Sequence, residues 1–173
     1  AAEPEVMKMY AKHYKSGEVI PDTLIEKMQK AGTFDQGFVT TEYLAASLLD
    51  MQYHTQKAAI TTDAETFEKE AMTKINLPST IIPRYRSTYF NHIFAGGYSA
   101  GYYSYIWSGV LDTDAFEVFK INGLFNSDYA KSFRKNVLEK GGTEDPMELY
   151  KSFRGAEPSV EPLLRKRGLD QVK

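Results

Sequence analysis

The stretch from about residue 40 to residue 59 constrains the fold more than any other. Tyr43, Leu44, Ser47, Leu48 and Met51 recur at intervals of three and four, the period that lines one face of a helix. Ala45-Ala46 leave room for another helix to approach closely, so this segment reads as the longest helix and a core scaffold. Nowhere does the chain show the alternating apolar pattern, bounded by hairpin turns, that strands require. The expected fold class is therefore all-α. With 173 residues, 42% hydrophobic and 25% charged, the chain is large enough for a substantial core and is read as a single helical domain over 1–173.

The remaining helices follow from stops and starts. Val6, Met9, Tyr10 and Tyr14 suggest an opening helix closed by Ser16-Gly17. A second starts at Pro21-Asp22, with Thr23 and Glu26 spaced as a capping box, Leu24, Ile25 and Met28 facing inward, and Gly32 as its stop. Thr62 and Glu65 form a similar box before Phe67, Ala71 and Ile75. Pro78 and Pro83 make residues 77–86 an irregular crossing segment, followed by a short helix or turn that presents His92. A long helix then runs through the tyrosines and, with a kink past Asp112, to Asn122-Gly123. Asn126 or Ser127 caps a helix carrying Tyr129, Phe133, Val137 and Leu138, and Asp145-Pro146 with Glu148 opens another that ends at Gly155. The tail, with Leu163, Leu164 and Leu169 among basic residues, reads as a final surface turn.

Composition excludes several functions. A net charge of −2 with both signs interspersed gives no basic surface for nucleic acid. No apolar run approaches the roughly 20 residues that span a bilayer, so no membrane partner is expected. Zero cysteines rule out disulfides, thiolate catalysis and cysteine-ligated zinc. A start without initiator methionine suggests a processed chain or a cloned fragment. The histidines are His13, His54 and His92, and none has another within four residues. Zinc on a helix needs two imidazoles one turn apart and a third ligand, so no metal site is expected in this chain. No serine lies in a G-x-S-x-G context, and Gly96-Gly97 and Gly101 follow no strand, which removes a nucleophile elbow and a phosphate loop.

What remains is a set of parts in residues 90–107. Helical from 98 to 107, the segment would place Tyr98, Tyr102 and Tyr105 at i, i+4 and i+7, with the outer phenols about 10 Å apart along the axis. Such a stripe is most often a half-buried packing face. Gly96-Gly97, without Cβ atoms, allow a free turn or a close backbone approach, and His92 stands just before them. An imidazole and a phenol beside a pliant loop can grip a polar substrate backbone and donate to an oxyanion. Arg84 and Arg86 offer a bidentate grip on a carboxylate, against the commoner role of surface or structural ion pairing.

The whole string carries a resemblance. Pro83-Arg84-Tyr85-Arg86-Ser87-Thr88-Tyr89-Phe90-Asn91-His92-Ile93, continuing Ala95-Gly96-Gly97-Tyr98-Ser99-Ala100-Gly101-Tyr102-Tyr103-Ser104-Tyr105-Ile106-Trp107, resembles the C-terminal part of the thimet oligopeptidase family of zinc metallopeptidases. Ala11-Lys12-His13-Tyr14, Leu48-Leu49-Asp50-Met51, Phe133-Arg134, Phe153-Arg154-Gly155 and Arg167-Gly168-Leu169 extend the likeness over essentially the whole chain. The intervals of six and thirteen residues from His92 to Tyr98 and Tyr105 favour the bacterial peptidyl-dipeptidase branch. The resemblance implies a helical two-lobed body with a channel, and short peptides as substrates. It makes Tyr105 and His92 catalytic and Tyr98, Gly96, Gly97 and Tyr102 substrate-binding, with the diglycine in a loop that closes over the peptide.

The family's His-Glu-x-x-His motif is absent from this sequence, and the resemblance places it upstream. Zinc, general base and nucleophilic water are then expected from the missing N-terminal part of the same enzyme, and this chain alone is expected to be inactive. Such a piece would expose apolar surface and form a homodimer. Its compartment is read as cytoplasmic or periplasmic, the cytoplasm preferred. The competing reading is a non-catalytic helical module that binds peptides or proteins through its tyrosine face, separable by looking for the zinc motif in the upstream coding sequence.

Overall fold

A computed structural model describes residues 2–170. The chain divides into two compact units, Ala1–Gln36 and Gly37–Lys173. The architecture is all-α, and among the described residues the only β pairing is one antiparallel bridge between Lys12 and Val19.

In the first unit, α1 (Pro4–Tyr10) is shorter than its apolar spacing suggests. Its chain leaves the helix at Ala11, Met7 is buried, and Met9, Tyr10 and Tyr14 are exposed. Residues 11–20 instead make the Lys12–Val19 bridge around Gly17, which takes the left-handed φ of 74°. The second helix, α2 (Asp22–Gly32), starts two residues earlier than a capping box at Thr23 requires, with Pro21 in the cap position and no side chain capping it. Ile25 is its buried residue, whereas Leu24 and Met28 face out.

All but the first residue of the long helix α3 (Gln36–His54) lies in the second unit. Its buried face is Ala45, Ala46, Ser47, Leu49 and Asp50 rather than the expected Leu44, Leu48 and Met51, which lie at 40%, 43% and 36% exposure. Both faces are apolar, so period alone could not choose between them. The small alanines and the buried acid decide it. Helix α4 (Ala64–Lys74) is capped by Asp63, not Thr62, whose carboxylate accepts the N–H groups of Glu65 and Thr66. Those hydrogen bonds hold Asp63 below the usual carboxylate range. Phe67, Ala71 and Met72 from α4 meet Ala45, Ala46 and Leu49, and Phe90, Ile93 and Tyr102 complete this core. Residues 77–86 are irregular, as the prolines require. A 3₁₀ turn at Ser87–Tyr89 leads into α5 (Asn91–Ala95).

The next helix, α6 (Ser104–Asn122), starts later than expected, since residues 98–103 form successive turns. It then runs unbroken past Asp112 and stops at Gly123, whose φ is 101°. Asn126 caps α7 (Ser127–Phe133), which passes into a π-helical turn at Arg134–Leu138. Asp145 caps α8 (Pro146–Arg154) through the N–H groups of Met147 and Glu148, and Gly155 ends it in the left-handed region. A second core gathers Ala115, Val118, Tyr150 and Phe153, ringed by Phe119 and Phe133. The tail is not a surface turn. It forms α9 (Glu161–Arg167), whose buried Leu163 lies within 3.7 Å of a Cβ built on Gly109 of α6.

Three buried carboxylates are matched in place. Glu68 receives Arg86 Nε at 2.8 Å and both the N–H (2.7 Å) and hydroxyl (2.8 Å) of Ser87. Asp114 accepts the Tyr150 hydroxyl at 2.5 Å and the Arg154 guanidinium at 2.8 and 3.2 Å. Asp50 is the third. Desolvation raises Tyr102 from 10.0 to about 12. In the unfolded chain that phenol ionises near 10, while the folded one stays protonated, so stability is retained below pH 10 and lost as the pH rises toward 12. Tyr102→Phe is expected to shallow the alkaline arm of a stability-versus-pH curve measured by denaturant titration; an unchanged arm would refute the assignment.

Candidate functional site

Asp50 organises the segment that carries the tyrosines. Its side chain is fully buried on α3, where Oδ1 accepts the N–H of Ala100 at 3.0 Å and Oδ2 that of Tyr102 at 2.9 Å. Nδ1 of His54, one turn along α3, lies 2.8 Å from Oδ1. Ala100 sits at φ 53°, a left-handed conformation that its bond to Asp50 helps to hold. Tyr43, two helical turns before Asp50, donates its hydroxyl to the Tyr102 carbonyl at 2.6 Å and accepts the N–H of Ile106 at 3.1 Å. Both anchors were legible only as ordinary members of a helix. The available signal was an acid among apolar residues with a histidine four positions on.

His92 is raised on α5, half-buried, with its ring edge-on to Tyr85 at 4.7 Å and to Tyr98 at 5.5 Å between centroids. Gly96 is pressed against it: a Cβ built there would fall 2.8 Å from both Cα and Cβ of His92 and 2.9 Å from its carbonyl oxygen. The diglycine is thus required sterically at Gly96 and conformationally at Gly97, whose φ is 79°. Gly96→Ala is expected to cost about 1–3 kcal/mol through overpacking against backbone, measured by urea denaturation; a neutral result would mean that α5 shifts freely.

The turns at 98–103 change the expected stripe. Tyr98 and Tyr105 stack with parallel rings, centroids 5.7 Å apart and planes within 4°, instead of standing about two turns apart along a helix. They are 37% and 49% exposed. Tyr102 is 3% exposed and packs on Tyr43 at 5.2 Å, so it is a floor beneath the pair rather than a third exposed phenol. The side-chain hydrogen bond with Tyr98, and then burial, hold Tyr105 protonated above its ordinary pKa. Like any phenol, it is neutral and able to donate at physiological pH.

His92 and Tyr105 open onto a pocket of about 400 Å³ whose wall also includes Tyr43, Ile106, Arg84 and Arg167. Arg86 is absent from it, because its guanidinium is spent on Glu68. His13 and His54 take no part: the first bonds Ser16 in the other unit and the second Asp50. Among the described residues no group of three or more His, Cys, Asp or Glu side chains could hold a metal ion. Nor is any helix there long and apolar enough to cross a membrane.

Residues 1–169 match the model of Peptidase family M3, and the chain belongs to that family. It is 41% identical over 172 residues to the dipeptidyl carboxypeptidase of Escherichia coli, an alignment covering 98% of this chain and 25% of that protein. Oligopeptidase A of the same organism is 37% identical, covering 96% of this chain and 25% of the relative, and saccharolysin of Saccharomyces cerevisiae is 34% identical, covering 91% and 22%. The chain thus spans about a quarter of the length of these relatives.

Proposed function

We propose that this chain supplies the substrate-gripping wall of a zinc peptidase that removes dipeptides from the carboxyl end of short peptides. Among the described residues no cluster of side chains fits a metal ion. Zinc and the water it activates would be held by other residues of the complete enzyme, in the part this sequence lacks.

The observation that carries the reading is the convergence of His92, Tyr98 and Tyr105 on one exposed patch beside a pocket, strapped from beneath by Asp50 and Tyr43. In this role the Tyr105 hydroxyl donates to the scissile carbonyl oxygen as negative charge gathers there, and His92 adds a second donor. Tyr98 stacks on Tyr105, sets its hydroxyl and holds the peptide. Gly96-Gly97 form the loop that closes over the substrate, and Tyr102 supports the pair from below instead of touching the peptide.

The test compares two samples on a fluorogenic peptide with a free carboxyl end. The complete enzyme should cleave it in a chelator-sensitive manner, and the 173-residue chain alone should not. Chelator-sensitive turnover by the chain alone would overturn the reading.

A further inference from the structure

We propose that Tyr43 is a positioning residue for Tyr105: its hydroxyl braces the main chain on both sides of that tyrosine and so sets where the Tyr105 hydroxyl stands. The inference deepens the peptidase reading above and rests on it, since it names what holds the donor for the scissile carbonyl in place.

Tyr43, on α3, gives its proton to the Tyr102 carbonyl at 2.6 Å, and its oxygen accepts the N–H of Ile106 at 3.1 Å. One phenol thus ties the residue three before Tyr105 to the residue just after it. The local chain offers little hold of its own there. Tyr105 is the second residue of α6, and the cap position, Tyr103, contributes no side-chain bond. The N–H of Tyr105 reaches the Tyr102 carbonyl only at 3.4 Å. A first turn left in that state frays readily, and the side chains on it move with the backbone. The rings add to the brace: Tyr43 packs on Tyr102 at 5.2 Å and meets Tyr105 edge-on at 6.4 Å.

Tyr43 also lines the pocket that His92 and Tyr105 share, so direct contact with the peptide is the competing role. Hydrogen-bond capacity decides between them. A phenol has one proton to donate, and that of Tyr43 is already given to a backbone carbonyl. None is left for a carbonyl oxygen of the substrate. The consequence for rate is geometric. A donor stabilises an oxyanion over a window of about 2.7–3.1 Å, so a displacement of about 1 Å at the start of α6 forfeits most of what the Tyr105 hydroxyl supplies.

The test is a double-mutant cycle in the complete enzyme, on the same fluorogenic peptide. Tyr43→Phe keeps both ring contacts and removes only the hydroxyl. It should lower kcat by roughly tenfold or more, with KM changed less than about twofold. In the Tyr105→Phe background the same exchange should change kcat by less than about twofold, because the group it positions is gone. Hydrogen exchange of the metal-stripped enzyme should show faster exchange at the start of α6 in Tyr43→Phe, a readout independent of turnover. Equal losses of kcat in both backgrounds would mean that Tyr43 acts through general stability, and would overturn the positioning role. So would a rise in KM at unchanged kcat, which marks a peptide contact, or no change in either kinetics or exchange. Each of these outcomes leaves the peptidase reading standing. A Tyr105→Phe enzyme as fast as wild type would instead remove Tyr105 from the chemistry, and the positioning role with it.

Discussion

Replacing Tyr105 by Phe in the complete enzyme is expected to lower kcat by a factor of about 10² to 10³, with KM changed little. The ring would stay, because its stacking on Tyr98 at 5.7 Å needs no hydroxyl. What disappears is a donor aimed at a charge that grows only as the peptide carbon becomes tetrahedral, so ground-state binding should survive. The stacking of the two rings sharpens the expectation. Tyr98→Phe should raise KM, through loss of a peptide contact, and lower kcat less than the Tyr105 change, because Tyr105 retains its own hydroxyl. Steady-state kinetics on one peptide distinguish the two. If Tyr105→Phe works as well as wild type, the tyrosine has no part in the chemistry and only a packing role is left.

Asp50→Asn should have the largest effect on stability of any single exchange around the site, about 2–4 kcal/mol. The carboxylate accepts from Ala100 on one oxygen and Tyr102 on the other, with His54 beside the first. An amide keeps one oxygen and presents an NH₂ group where a second acceptor is needed, so a buried donor must face another donor. Activity of the complete enzyme should fall with it, because those two N–H groups fix the turn between Tyr98 and Tyr105. Glu68→Gln is the control. It is similarly buried, yet its partners Arg86 and Ser87 precede the site, so stability should fall while the kinetic constants move less. Thermal unfolding and steady-state rates measured on both variants decide the matter. Equal kinetic losses would show that Asp50 acts only through global stability.

How far the sequence could be read depended on whether the information was local. Asn126 and Asp145 cap their helices as their positions suggest, because a cap is a bond between near neighbours. The prolines at 78 and 83 also act locally, and residues 77–86 are irregular. Thr62 lost its place to Asp63, a closer match to the same geometry one residue on. The face of α3 was misjudged because Leu44 and Leu48 on one side, and Ala45, Ala46 and Leu49 on the other, satisfy the same helical period. Similarly, no sequence spacing reveals that residues 98–103 turn instead of coiling, since the cause is a pair of hydrogen bonds from an aspartate 50 and 52 residues away. Arg167 escaped attention for a related reason: the leucines of α9 looked like a surface turn, and only their docking on α6 carries the arginine to the pocket.

The Tyr43 hydroxyl has a bearing on the order of assembly. Helix α6 has no side-chain cap of its own, and in its first turn the N–H of Ile106 divides between the Tyr103 carbonyl and a phenol from a different helix. Nucleation at Ser104 is therefore tied to the arrival of α3, a long-range event in chain terms. A synthetic peptide spanning residues 98–122 should fray at its amino end in solution, and the turn over residues 98–103 should be among the late-forming parts of the molecule as it folds.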